Sequence, residues 1–266
     1  MKKKTLPVEF IFQLFALIIS IIIVHAFYVS VVRPNAAQVI EEQAEAAAAD
    51  PDYVRARSTW VLIKDLEQES CFILMFWALA IMGYKTVSIL NERKLLDINL
   101  VPVAEGMRIL PEDTREFARQ VEALPEENRQ MLLPRALLNA LHRFGSTRNI
   151  QDVSTSTHTI CESEAEKLES ELSMIRYITW AIPSIGFIGT VRGIGEALAQ
   201  ADQAVHGDIA GVTLSLGIAF NSTFIALLIS IFLMFLVHQL QLLEDNLVFD
   251  SENYCDDKLI RHMKAD

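Results

Sequence analysis

Thr190, Asn221, Ser222 and Thr223 are the residues of this chain whose types and positions point to chemistry, because each sets a hydroxyl or an amide inside a long apolar run. Lipid cannot solvate such a group, so it must meet a carbonyl, another polar side chain or passing water. Groups of this kind trade hydrogen bonds and offer oxygens to a cation, and the chemistry they fit is ion passage through a membrane. A plainer reading stands beside it. Ser and Thr bond readily to a carbonyl one turn back in their own helix, and the amide of Asn221 can serve as an interhelical hydrogen bond.

The first of the two runs has an unusual face. Pro183 and Thr190 are seven residues apart and nearly aligned on a helix, with Gly186 and Gly193 one turn to either side. Gly189 and Gly193 add the G-x-x-x-G spacing that lets two membrane helices approach at backbone distance. Pro183, Gly186, Gly189 and Gly193 are therefore expected to pack against a partner helix, in this chain or in an oligomer. On the second run Thr223 aligns with Leu216 and Ser230 at seven-residue spacing. Arg192 lies about 200° around the helix from Thr190 at 100° per residue, facing away from the hydroxyl side. It is expected to pair with Glu196 near the outer end of the helix, or to extend its long stem outward. His25 is a lone imidazole in another apolar run, read as a packed or interfacial residue. No Asp or Glu falls in the middle of any run, so if the chain passes protons another chain must bring the carboxylate.

Four apolar runs must position these residues: 10–32, 71–90, 177–199 and 212–238. Each is long enough, at 1.5 Å per residue, to cross about 30 Å of hydrocarbon. The first follows Lys2, Lys3 and Lys4 but exceeds the apolar core of a signal peptide, so a retained anchor is expected. Four crossings put both termini on one side. Lys2, Lys3, Lys4, Lys85, Arg93, Lys94 and Arg176 gather there, which makes it the cytoplasm. The segment 33–70 then faces outward; it opens with Arg33 and Pro34, carries Glu41, Glu42, Glu45, Asp50 and Asp52, and has an alanine run at 46–49 that favours helix. The link holding Asp202, Gly207 and Asp208 also faces outward. In the cytoplasmic region, Pro111 and Pro125 are each followed by acids and mark helix starts. Pro134 begins or kinks a further helix with Leu137, Leu138 and Leu141. Between 147 and 174 there is no Pro or Gly, and Ile150, Val153, Ile160, Leu168, Leu172 and Ile175 form a stripe, so a long helix should run into the third span. Leu240, Leu243 and Leu247 should continue the fourth helix past the membrane.

The expected fold is an all-α polytopic membrane protein with four transmembrane helices, the third and fourth extended into the cytoplasm. Its parts are 1–90 with the outer helical loop 33–70, a cytoplasmic helical region 91–174, the helix pair 175–240 and a helical tail 241–266. Composition agrees, with 52% hydrophobic residues concentrated in the runs. The net charge of -11 leaves no basic stripe for a nucleic acid. Cys71, Cys161 and Cys255 are far apart, with no second Cys or His at ligand spacing, and read as idle thiols. With no nucleophile, acid pair or metal cluster at workable spacing, neither an enzyme nor a cofactor is expected.

Pro183, the run Gly186-Phe187-Ile188-Gly189-Thr190-Val191 and the pair Gly193-Ile194 resemble the P-x-x-G-L-x-G-T-V-x-G-I element of the MotA/TolQ/ExbB family, the larger membrane subunits of ion-driven motors. Residues 217–231, with Thr223, resemble that family's second threonine-bearing helix. The resemblance covers about 175–240, and four spans around a cytoplasmic segment look like the MotA arrangement. It implies a homopentamer around a dimer of a MotB/ExbD/TolR-like single-span partner whose helix carries an essential Asp, in a bacterial inner membrane. Thr190 and Thr223 match the family threonines that line the pore near that Asp, with Asn221 and Ser222 beside them in the ion pathway. The transported ion would be H+, with Na+ the alternative. A competing class is a non-conducting membrane scaffold or signalling oligomer, in which the glycines only pack.

Overall fold

The computed structural model of the chain describes residues 8–50, 53, 56, 58–103, 106–207 and 209–264. Lys2, Lys3, Lys4, Asp52 and Asp208 lie outside the described residues. The helices in chain order are α1 (Val8–Phe27), α2 (Arg33–Ala49), α3 (Thr59–Leu62), α4 (Leu66–Arg93), α5 (Thr114–Glu122), α6 (Glu126–Arg129), α7 (Leu132–Thr147), α8 (Ile150–Glu171), α9 (Ser173–Ala199), α10 (Ala201–Val205) and α11 (Ala210–Lys258). Among the described residues there is no strand, only an isolated parallel bridge between Ile109 and Met263. Four helical stretches are long and apolar enough to cross a membrane: Glu9–Ala49, Leu66–Arg93, Ile150–Ala199 and Ala210–His262. The protein is an all-α, multi-pass membrane protein.

Proline chemistry shapes two of these stretches. α1 runs into α2 through a π turn, Tyr28–Val32, in which the N–H of Arg33 bonds to the carbonyl of Tyr28, five residues back. Pro34 is the physical cause: it has no N–H to donate, and its ring would strike the carbonyl of Ser30 in a tight α turn. The helix widens there and does not break. In α9, Pro183 likewise leaves the carbonyl of Thr179 without its usual donor, and the hydroxyl of Ser230 on α11 takes that carbonyl at 3.3 Å.

Several boundaries differ from the sequence expectation. α4 begins at Leu66, five residues before the apolar run, because Glu67, Gln68 and Glu69 are buried and partnered. After Pro111 the chain makes a turn, with the carboxylate of Asp113 accepting the N–H of Leu110 at 3.0 Å, and α5 starts only at Thr114. α6 follows Pro125 directly, as its acids predict. Pro134 sits in the first turn of α7, where a missing N–H costs nothing. Leu172 alone interrupts the long helix expected into the third span.

The chain forms two compact units. The first takes residues up to Met82 together with Met174–Val237. In it Val24, Tyr28 and Val32 pack with Trp60, Ile63, Phe72 and Ile73, and the indole of Trp77 donates to the carbonyl of Gln13 at 2.9 Å. Phe15, Ile22 and Ile23 are exposed, which suits a lipid-facing surface. The second unit, Gly83–Ser173 with His238–Asp266, closes around Ile109, Val121, Leu133, Leu137, Leu141, Phe144 and Leu259. The hydroxyl of Tyr254 donates to the carbonyl of Ile98 at 3.0 Å and accepts the N–H of Leu100 at 2.9 Å. Ion pairs Lys85–Glu171 at 2.8 Å and Arg93–Asp250 at 2.9 Å also lie within it.

Candidate functional site

Within the first unit α9 and α11 pack antiparallel, joined by three polar layers. At one end Ser230 reaches the freed carbonyl of Thr179; at the other the amide of Gln200 donates to the hydroxyl of Ser215 at 3.1 Å. The middle layer holds the predicted residues. The hydroxyls of Thr190 and Thr223 are in hydrogen-bond contact with each other. Thr190 also reaches the carbonyl of Ala219 at 3.1 Å, and Thr223 the carbonyl of Gly186 at 3.0 Å. Each threonine thus bonds the carbonyl that the other, by its place one turn along its own helix, would take. With the longer bond from Thr190 to its own Gly186 carbonyl at 3.4 Å, four contacts share two hydroxyl hydrogens, so the pair can redistribute its donors without either helix moving.

Ser222 is buried and donates to the carbonyl of Ala219 at 2.9 Å, the local bond expected of a membrane serine. Asn221 is half-buried, and among the described residues no hydrogen bond joins its amide to Thr190 or Thr223. Thr179, Ser215 and Gln200 escaped the sequence reading, although 215, 222 and 230 recur at close to heptad spacing along α11.

The partner helix of the small residues lies in this chain. Pro183 is half-buried, and Gly186, Gly189 and Gly193 are closed against α11 of the same chain. A Cβ on Gly186 would lie 2.5 Å from the Cβ of Ala226, and one on Gly189 only 2.3 Å from the hydroxyl of Ser222. The crossed threonine bonds need this backbone proximity, so the glycine face is spent inside the chain and is not left for another.

The side of α9 that carries Arg192 adds partners to two further expectations. Arg192 turns away from the hydroxyl pair, but its main partner is Glu67 of α4, at 2.9 Å, whereas Glu196 stands at 3.9 Å. A Cβ on Gly189 would meet the Cγ of Glu67 at 3.1 Å, which sets that carboxylate level with the middle of the third apolar run. Glu67, carried by the first turn of α4, therefore stands beside the third apolar run at Gly189. Glu69, two residues on, accepts from Arg33 and contacts Nδ1 of His25, both at 2.6 Å. His25 consequently has a carboxylate partner, which it shares with Arg33. Gln68 between them is fully buried and donates to the carbonyl of Leu62 at 3.1 Å. Polar residues two apart on a helix point to opposite sides, so the start of α4 bonds α9 with one carboxylate and α1 with the other.

Cys71, Cys161 and Cys255 are free and buried, and no group of three metal-ligating side chains occurs among the described residues. No curated protein and no solved structure matches the chain. The model of the MotA/TolQ/ExbB proton channel family matches residues 128–253. That stretch contains α9, most of α11 and the crossed threonine layer. Over residues 128–253, then, the chain is similar to the MotA/TolQ/ExbB proton channel family.

Proposed function

We propose that the chain is the pore-lining subunit of a proton-driven inner-membrane motor. Five copies surround two copies of a single-span partner, which brings the Asp that carries the proton past Thr190 and Thr223. Both termini lie in the cytoplasm, and the chain works as a transport subunit and not as an enzyme. Sodium is the alternative ion. The observation that carries this reading is the hydroxyl pair of Thr190 and Thr223, joined across α9 and α11 and able to reverse its donors, inside the stretch matched to a proton channel family. A charge moved through about 100 mV yields about 2.3 kcal/mol, enough to drive a step of one ring of helices past another. The absence of Asp or Glu from the α9–α11 layers supports a carboxylate supplied by the partner.

The test is proton uptake by vesicles holding the chain with its co-purified single-span partner. Thr223→Val should abolish uptake and Thr190→Val should reduce it, with oligomer mass unchanged in both. Full uptake in Thr223→Val sinks the pore role. A partner-free oligomer that passes no protons would favour the scaffold.

A further inference from the structure

Three observations converge on Glu67. It is 9% exposed, its carboxylate pairs with Arg192 at 2.9 Å, and its Cγ lies beside Gly189, where an added Cβ would also meet Ser222. At this level α4 and α11 both close on α9 at Gly189. Gly189 supplies no side chain to absorb a displacement, so a shift of α9 away from Glu67 alters its distance from α11. The same helix carries Thr190 one residue later, and the crossed threonine bonds tolerate only a few tenths of an ångström.

We propose that Glu67 is a positioning residue of the ion pathway, acting through Arg192 to hold α9 in the register that lets Thr190 meet Thr223. This rests on the pore reading above. Glu67 and Thr190 occupy opposite flanks of α9, so the carboxylate does not face the hydroxyl layer; its charge anchors the guanidinium. Without it, Arg192 keeps only Glu196, one turn further out at 3.9 Å, and a cation in an apolar span turns toward the interface. The long stem would draw outward and pull α9 with it. Glu69 holds α4 itself in place through Arg33 and His25.

The experiment measures the spacing of the two helices in the full chain alone, in lipid nanodiscs. Thr190→Cys with Thr223→Cys forms a disulfide on mild oxidation, and peptide mass spectrometry separates this link from any made by Cys71, Cys161 or Cys255. Adding Glu67→Gln or Arg192→Gln should slow the link roughly tenfold, a typical coupling between contacting residues. The pair Glu67→Gln with Arg192→Gln should return to within about twofold of the parent, since neither charge is then uncompensated. Glu67→Asp should fall between. Unchanged rates in both single variants, or a double variant no faster than the singles, overturns the proposal. If a single variant fails to insert, a double variant that inserts and links supports it, and one that also fails overturns it. Proton uptake with the partner gives a second readout: Glu67→Gln should lower the amplitude and keep the shape of the pH profile, whereas a lost pH dependence would make Glu67 a proton carrier and overturn positioning. Absence of uptake by the parent chain would sink the pore reading, and the link rates would still decide the role of Glu67.

Discussion

Gly186→Ala should separate α9 from α11 and unmake the threonine layer without touching either threonine. The added Cβ would lie 2.5 Å from the Cβ of Ala226 and 3.2 Å from both the carbonyl of Ser222 and the Cα of Thr223. Carbon atoms in contact prefer about 3.5–4.0 Å, so the helices must part by about 1 Å. The bond from Thr223 to the carbonyl of Gly186 then stretches from 3.0 Å to about 4 Å and ceases to be a hydrogen bond. Overpacking of this kind costs about 1–3 kcal/mol, and each membrane hydrogen bond lost adds about 0.6 kcal/mol. A total of about 2 kcal/mol corresponds to a fall in melting temperature on the order of 5 °C for a chain of this size. Thermal unfolding of the purified chain in detergent, followed by far-ultraviolet circular dichroism, measures it. Ala226→Gly placed in the same chain removes the nearest clash and should recover about half the loss, since the contacts with Ser222 and Thr223 remain. Wild-type melting in Gly186→Ala, or no recovery in the double variant, refutes the argument that the glycine exists for helix approach.

Two further outcomes concern the second unit. Arg148 ends α7 with a positive φ of 52°, a conformation that favours glycine; Arg148→Gly should stabilise the unit by about 0.5–1 kcal/mol, read as slower amide exchange along α7. Phe144 is fully buried in the same helix, and Phe144→Ala should cost about 3–5 kcal/mol and accelerate that exchange.

The sequence made the spans, the long helices and the two threonines legible because each announces itself locally, by apolar length, by an absence of breakers, or by a polar group out of place. The start of α4 was hidden for the opposite reason. Glu67 and Glu69 look like the end of a solvated loop, and only Arg192, 125 residues away, and Arg33 and His25, 36 and 44 residues away, make their burial affordable. The crossed pattern of the threonine bonds was equally out of reach, because each side chain had a local carbonyl that satisfied it on paper. The second unit gathers the tail through contacts such as Ile109 with His262, whose N–H to carbonyl bond is 2.8 Å, and no periodicity encodes a meeting of segments 153 residues apart.

The wide turn at Tyr28–Val32 has a geometric consequence for the acid beneath it. In an uninterrupted α-helix His25 and Arg33, eight residues apart, would stand about 80° out of phase. A turn closed five residues back spends an extra residue on each revolution and takes up most of that angle. Both side chains then project along one line, and a single carboxylate, Glu69, can hold one on each oxygen. The proline that loosens the helix is thus what phases its two arms onto one acceptor.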